Sequence, residues 1–208
     1  PDLANYLNKM GAKIEGAGTD TIQIKGVEAL RPTQHTVIAD RIEAATFLMA
    51  GAITRGEVTV TNCPPDFIET ALQLLREAGC EIKIANQNQI TLTAPKKLTS
   101  IDITTAPFPG LATDLQAQFM ALMTLAEGTS VITETVFENR FQHALELNRL
   151  GANIRLDGHR AFVRGVKKLS GAPLMATDLR ASASLILAGL AAQGTTTVDR
   201  AYHIDRGY

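Results

Sequence analysis

The chain has 208 residues, 45% of them hydrophobic and 20% charged, a composition typical of a globular protein with one large or two modest cores. Its formal net charge of −1 at pH 7 gives no support for binding nucleic acid or an anionic membrane through overall charge. The sequence contains no apolar run near the roughly 20 residues that cross a bilayer and opens with no signal-like segment, so we expect a cytoplasmic protein without a membrane partner.

The start of the chain and its two cysteines add two expectations. The chain begins at Pro1 without an initiator methionine, so we expect a processed or excised piece of a longer protein. Cys63 and Cys80 form no CxxC pair and have no metal-ligand spacing to histidine. This pattern favours two reduced thiols over a disulfide, and it predicts no metal site.

The pattern of residues 1–34 predicts the end of one domain. A helix over residues 2–10 has its apolar side chains on one face, and Gly11 supplies a left-handed C-terminal cap. Two short alternating strands, 13–15 and 21–25, follow as a hairpin. Residues 30–35 are polar and contain a proline, which marks the best boundary in the chain. Residues 35–208 then form most of a second domain.

From residue 36 the pattern repeats a cycle of strand, helix, strand, helix, strand and strand. The first cycle has strands at 36–38, 58–61, 81–84 and 89–93, with helices after Asp40 and from residue 64. The second begins at residue 101 and passes Asp114, and the third begins near residue 174, passes Asp178 and is incomplete at Tyr208. The phrases that follow the second helices match, and they place residues 1–27 as the back half of a preceding cycle: Gly11-Ala12-Lys13-Ile14, Gly79-Cys80-Glu81-Ile82 and Gly151-Ala152-Asn153-Ile154.

The first helix of the second and third cycles is apolar nearly all round. Residues 185–192 have no polar face and residues 120–126 are similar, so both helices must be buried on most sides. Strands such as 89–93 alternate apolar and polar residues, as in a layer with one solvated face. We therefore predict an α/β fold with helices packed inside and sheets outside, unlike a doubly wound sheet.

Three aspartates stand at corresponding helix starts, Asp40, Asp114 and Asp178. Aspartate is a preferred N-cap residue, and capping explains Asp40 best because Glu43 follows it three residues later. Arg180 is different, because the helix dipole disfavours a cation in the first helical turn. An anion or a partner carboxylate therefore has to explain Arg180.

Two further arginines close the loops that correspond between the second and third cycles, Arg140 and Arg206. If the repeats are related by pseudosymmetry, Arg140, Arg180, Arg206 and the aspartates converge on one rim and form an anion site. Ordinary Asp–Arg structural pairing explains the same spacing equally well. His203 and Asp205 suggest a catalytic dyad, but no serine or cysteine partner is evident, so nucleophilic catalysis is disfavoured.

Four long motifs carry a family resemblance: 113–119, 133–141, 176–182 and 203–208. With them the chain closely resembles the UDP-N-acetylglucosamine 1-carboxyvinyltransferases, the enolpyruvyl transferases that begin peptidoglycan synthesis. The resemblance implies a two-domain inside-out α/β barrel, each domain built of three repeats, with the active site between the domains. It also implies transfer of the enolpyruvyl group of phosphoenolpyruvate to the 3′-hydroxyl of UDP-N-acetylglucosamine, with release of phosphate and without a metal or organic cofactor.

The resemblance assigns roles to individual residues. Asp114 corresponds to the acid that contacts the sugar hydroxyl and serves as general base. Val136 corresponds to a backbone contact to the nucleotide sugar. Arg180 and Arg206 handle the phosphate and carboxylate of phosphoenolpyruvate, and Asp178 orients them. Further candidate substrate-binding residues are Arg140, Phe137, Thr113 and Asp40.

The chain lacks two parts that the resemblance leads one to expect. It has neither the lysine–asparagine phrase near the N-terminus nor the loop that carries a cysteine proton donor, and neither Cys63 nor Cys80 has a matching context. We therefore expect this piece alone to be inactive and to need the remainder of the same enzyme. A shikimate-pathway enolpyruvyl transferase and a non-catalytic repeat domain that binds an anion or a protein are the alternatives.

Overall fold

The computed structural model describes residues 1–138 and 140–208 and divides the chain into two compact units, Pro1–Ala39 and Asp40–Tyr208. In the first unit α1 (Asp2–Lys9) precedes an antiparallel hairpin of β1 (Lys13–Glu15) and β2 (Gln23–Lys25). Gly11 has φ +103°, the left-handed conformation predicted for the residue that ends this helix. The division after Ala39 lies a few residues beyond the polar connection at 30–35.

The second unit begins with the first cycle. It comprises α2 (Arg41–Ile53), β3 (Glu57–Thr61), a 3₁₀ turn (Pro65–Phe67), α3 (Glu69–Glu77), β4 (Glu81–Ala85) and β5 (Gln89–Thr93). The three strands form an antiparallel sheet in the order β3-β5-β4. The strand predicted at 36–38 is wrong, because those residues pair with no strand among the described residues and Val37 is 75% exposed.

The second cycle follows the predicted order. Its elements are β6 (Ile103–Thr104), a 3₁₀ turn (Thr113–Leu115), α4 (Gln116–Met123), β7 (Thr129–Thr133), α5 (Gln142–Arg149), β8 (Asn153–Asp157) and β9 (Arg160–Arg164). The sheet order is β6-β7-β9-β8, with β6 parallel to β7 and the other pairs antiparallel.

The third cycle repeats the first part of this pattern. It contains β10 (Pro173–Met175), α6 (Leu179–Ala191), β11 (Thr197–Asp199) and a 3₁₀ helix (Ala201–Arg206). β10 is parallel to β11, as β6 is to β7, and in both cycles the intervening helix joins the two parallel strands. The segment 202–208 is thus largely helical, where a loop was predicted.

The three helices that follow the aspartates pack against one another, as their apolar sequences predict. α4 contacts both α2 and α6, α2 also contacts α6, and every residue of α4 is buried. The burial of α6 is less complete than predicted, since Leu185 is fully buried whereas Ile186 is 37% and Leu190 60% exposed. Burial of the apolar surface of these helices stabilises the unit.

The sheets lie outside these helices, with α2 against β3 and β5 and α4 against β7 and β9. The predicted α/β class is therefore confirmed. The strands form four separate sheets of two, two, three and four strands, and among the described residues they do not close into a barrel. No helix in that part of the chain is both long and apolar enough to cross a bilayer.

His143 of α5 is a buried histidine next to the site described below. It is 3% exposed, its ring lies 6.4 Å from that of Phe141 between centroids, and within residues 1–138 and 140–208 its Nε2 has no hydrogen-bond partner. Burial is the main reason that the pKa of His143 falls to about 4 from an ordinary value of 6.5. The charge of Asp178 raises this pKa, and the charge of Arg140 lowers it further. The imidazole is therefore neutral in the folded protein near pH 7.

The low pKa of His143 predicts acid destabilisation of the purified protein. Below pH 6.5 the unfolded chain takes up a proton that the folded state refuses, so stability falls as the pH drops towards 4. The shift corresponds to a loss of about 3 kcal/mol. We expect His143→Leu to flatten the slope of the unfolding free energy against pH, measured by urea denaturation. His159→Gln, which changes an exposed histidine, should leave the slope intact; an unchanged slope in His143→Leu would contradict the assignment.

Candidate active site

Asp114 lies at the centre of a cluster of charged side chains. It belongs to the 3₁₀ turn that leads into α4, and its side chain is 37% exposed. Its Oδ1 accepts a hydrogen bond from Arg140 Nη2 at 2.7 Å, and its Oδ2 lies 3.5 Å from Arg180 Nη2. Asp114 therefore holds two guanidinium groups, one from its own cycle and one from the next.

Arg140 is positioned by the 3₁₀ turn before α4 and by the ring of Phe137. Its Nη1 donates to Thr113 Oγ1 at 2.9 Å while its Nη2 donates to Asp114, so the guanidinium spans two neighbouring residues of the 3₁₀ turn. Its charge also lies 4.9 Å from the centroid of the Phe137 ring, a cation–π distance. Asn139, which belongs to the same motif, lies outside the described residues.

Arg180 has the partner carboxylate that its place in the first turn of α6 requires. Its side chain is only 14% exposed and faces Asp114. Nη1 donates to the Tyr208 hydroxyl at 3.4 Å, and the guanidinium lies 5.8 Å from the centroid of the Tyr208 ring. Asp114 therefore supplies the compensation that the helix dipole does not.

The Tyr208 hydroxyl links all three inner helices. It lies 2.9 Å from Thr46 Oγ1 of α2 and 3.4 Å from Arg180 Nη1 of α6, and it accepts from Gln118 Nε2 of α4 at 3.3 Å. Thr46 and Gln118 are buried, which keeps this network out of water. Thr46, Gln118 and Tyr208 are not among the predicted site residues, although Gln118 and Tyr208 lie in two of the four motifs.

Asp40 and Asp178 act as helix caps. Asp40 Oδ1 accepts from the backbone N–H groups of Ile42 and Glu43, and Asp178 Oδ1 accepts from those of Arg180 and Ala181. Both backbones are extended at the cap, the geometry expected of an N-cap residue. The prediction that Asp40 is a cap is confirmed. The described contacts of the Asp178 side chain are to backbone and to Thr177, and they include no guanidinium.

The remaining predicted residues lie at the surface. Val136 and Phe137 are 43% and 54% exposed and line an open groove of about 740 Å³ together with the tip of the β8–β9 hairpin. Arg206 ends the 3₁₀ helix that packs against α6; it is exposed and forms no salt bridge within the described part of the chain. The structure thus joins Thr113, Asp114, Arg140 and Arg180 directly, but not Arg206, Asp40 or Asp178.

Glu134 was missed, although it follows a strand whose alternate residues are buried. It is 2% exposed, and it accepts from Thr105, Thr113 and the backbone of Val136 and Phe137. Burial by itself raises the pKa of this carboxyl, but the four hydrogen bonds together outweigh burial and lower it. A charged residue at the end of a half-buried strand is the signal that could have identified it.

Both cysteines are free and buried, in keeping with the predicted reduced thiols. Burial raises the pKa of Cys80 to about 11, and burial together with the charge of Asp40 raises that of Cys63. Neither thiol is a good nucleophile or a ready proton donor in this environment. The described residues also contain no group of three His, Cys, Asp or Glu side chains that could hold a metal ion.

The amino-acid sequence is similar along its whole length to those of known proteins. The chain is 60% identical over 208 residues to UDP-N-acetylglucosamine 1-carboxyvinyltransferase of Bdellovibrio bacteriovorus, and 58% identical over 207 residues to that of Geotalea daltonii. Both alignments cover 100% of this chain but only 50% and 49% of the relatives, so the chain spans about half their length. These relatives confirm the resemblance carried by the four motifs.

Solved structures show the same fold. The enolpyruvyl transferase NikO from Streptomyces tendae matches with a TM-score of 0.84 and 35% identity, over 100% of this chain and 50% of that one. The EPSP synthase of Acinetobacter baumannii matches with a TM-score of 0.74 over 99% of this chain, but at 21% identity that match speaks only for the fold. The family model for EPSP synthase (3-phosphoshikimate 1-carboxyvinyltransferase) matches residues 1–208, and the chain therefore belongs to that family of enolpyruvyl transferases.

Proposed function

We propose that the protein containing this chain transfers the enolpyruvyl group of phosphoenolpyruvate to the 3′-hydroxyl of UDP-N-acetylglucosamine. The observation that carries the proposal is a half-exposed carboxylate, Asp114, held between the guanidinium groups of Arg140 and Arg180. The names of relatives 56–60% identical over the length of this chain support the choice of substrates. The chain supplies one half of the site, and the remainder of the same enzyme supplies the other.

Asp114 fits the role of general base in this reaction. Its 37% exposure lets a substrate hydroxyl approach, and the 3.5 Å contact from Arg180 leaves lone pairs of Oδ2 free to accept a proton. As Asp114 takes the hydroxyl proton, the hydroxyl oxygen attacks C2 of phosphoenolpyruvate and C3 gains a proton, which gives a tetrahedral intermediate. Loss of the C3 proton then expels phosphate and forms the enol ether.

The arginines fit the role of anion ligands. Phosphoenolpyruvate carries a phosphate and a carboxylate, and guanidinium groups bind both with paired, charge-assisted hydrogen bonds. Arg180 is nearly buried, so its interactions are little screened by water. Arg206 is exposed and unpaired within the described residues, so it is free to bind substrate anions, with Asp178 fixing the start of the helix that carries Arg180.

The proton donor to C3 is not one of the two cysteines in this chain. Both thiols are buried with raised pKa values. We therefore place the donor in the remainder of the enzyme and expect this chain alone to have no turnover. Residues 1–34 would then end one enolpyruvyl transferase domain, and residues 35–208 would form most of the other.

Replacing Asp114 by asparagine tests the base. The amide cannot accept the hydroxyl proton, so we expect kcat of the intact protein to fall by about a hundredfold or more, the typical contribution of general base catalysis. Phosphate release with both substrates present measures the effect. Asp66→Asn, which changes an exposed aspartate on the 3₁₀ turn before α3, is the matched control. Wild-type turnover in Asp114→Asn would contradict the role.

Replacing Arg206 by alanine tests the anion site. We expect kcat/KM for phosphoenolpyruvate to fall on the order of a hundredfold, because a preorganised charge-assisted contact to the transition state is lost. Arg164→Ala removes an exposed arginine from β9 and should have no effect. Unchanged kinetics in both Asp114→Asn and Arg206→Ala would favour a non-catalytic domain that binds an anion.

The description of the family model supports one alternative acceptor, shikimate 3-phosphate. Thermal unfolding of the intact protein with each acceptor separates the two. At a ligand concentration about 100 times Kd, we expect UDP-N-acetylglucosamine to raise the melting temperature by a few degrees and shikimate 3-phosphate to leave it unchanged. The reverse pattern would assign the protein to the shikimate pathway.

A further inference from the structure

Glu134 is a buried carboxylate that the proposed reaction does not use directly. It follows β7 and is 2% exposed. Its Oε1 accepts from Thr105 Oγ1 at 2.7 Å and from the N–H groups of Val136 and Phe137 at 2.8 and 3.1 Å, and its Oε2 accepts from Thr113 Oγ1 at 2.8 Å. Four donors from three segments of the chain thus converge on one carboxylate.

An ionised carboxylate fixes the direction of every hydrogen bond that it makes. It can only accept, so the single hydroxyl protons of Thr105 and Thr113 must both point at Glu134. Each threonine oxygen then has only lone pairs left for its other partner. That partner must be a donor, and in both cases it is.

The partner of Thr113 is Arg140. Nη1 of Arg140 donates to Thr113 Oγ1 at 2.9 Å, while Nη2 of the same guanidinium donates to Asp114 Oδ1 at 2.7 Å. The partner of Thr105 is the backbone N–H of Thr135, at 2.9 Å, which ties down the start of the exposed loop. The path from Glu134 to Asp114 therefore has three hydrogen bonds, all with a fixed donor direction.

We propose that Glu134 is a positioning residue that, through Thr113, holds the Arg140 guanidinium against Asp114. Through its bonds to Val136 and Phe137 it also holds the backbone of the exposed loop. This inference rests on the proposed function, in which Asp114 is the base and the loop contacts the nucleotide sugar. Glu134 itself touches neither Asp114 nor Arg140 within the described contacts.

Glu134→Gln reverses the donor direction of the hydrogen bond between residue 134 and Thr113. Three of the four donors face Oε1, so the glutamine oxygen takes that side and the amide N–H group faces Thr113. Thr113 must then accept from the amide, and its own proton is turned towards Arg140. We expect kcat of the intact protein to fall by about a hundredfold, the loss that a displacement of about 1 Å can cause in a catalytic group.

A double-mutant cycle separates this relay, the path from Glu134 through Thr113 to Arg140, from a merely structural role of Glu134. Thr113→Val removes the hydroxyl and should lower kcat about as much as Glu134→Gln. Thr113→Ser keeps the hydroxyl and should therefore retain most of the wild-type kcat. If the two residues act in one path, the double variant Glu134→Gln/Thr113→Val is no worse than the poorer single variant. Losses that multiply would overturn the proposal.

Glu146→Gln is the matched control. Glu146 of α5 is also a largely buried carboxylate that accepts a backbone hydrogen bond, from Met175 N at 2.9 Å, but it lies outside the cluster around Asp114. We expect it to change thermal stability without changing kcat. If Glu134→Gln behaves in the same way, with lower stability and wild-type kcat, Glu134 is structural only and the proposal is wrong.

A crystallographic measurement keeps this test independent of the proposed reaction. In crystals of the intact protein, we expect the Arg140–Asp114 contact to be broken in Glu134→Gln and in Thr113→Val but kept in Glu146→Gln. If the wild-type protein shows no turnover, the proposed function has failed, and the crystal structures still decide on the relay. A retained contact in both site variants would overturn it.

Discussion

The mutual packing of α2, α4 and α6 is the constraint on which the rest of this structure depends. These helices have little polar surface of their own, so each one buries its apolar side chains against the other two. Their N-terminal halves are linked through Thr46, Gln118 and Arg180, whose side chains all reach the hydroxyl of Tyr208. Hydrophobic burial thereby decides which polar side chains meet.

The aspartates at the starts of these three helices divide into two kinds. Asp40 and Asp178 each bind two backbone N–H groups, so their side chains complete helix starts. Asp114 stands at a 3₁₀ turn and binds side-chain cations instead. The same residue type at corresponding repeat positions therefore caps a helix twice and binds guanidinium groups once, because in the described part of the chain Asp114 alone of the three has two arginines within reach.

Glu134 extends this arrangement away from the surface. A buried carboxylate that only accepts hydrogen bonds imposes one donor direction on its neighbours, which removes alternative arrangements of Thr105 and Thr113. Arg140 is consequently held on both of its terminal nitrogens. Such preorganisation is what a site needs if its base and its cations are to act without rearrangement.

Sequence patterns alone determined the repeat, the order of most elements and the burial of the central helices. Periodicity and turn residues are local, so they could be read directly, and the motifs identified the family. The patterns failed where the outcome depends on a partner distant in sequence. The strand predicted at 36–38 is an example, because no local signal shows whether another strand is present to pair with it. The loop predicted at residues 202–208 is largely helical for the same reason, since the packing of this segment against α6 is a tertiary contact.

The sequence also indicated that Arg180 needs an anionic partner, because a helix N-terminus does not favour a cation. It could not name Asp114 as that partner, nor show that the Asp178 carboxylate accepts from the backbone N–H groups of Arg180 and Ala181. The role of Tyr208 was equally out of reach. Its partners Thr46 and Gln118 lie 162 and 90 residues away along the chain, and only the folded arrangement of the helices brings those groups within hydrogen-bond distance.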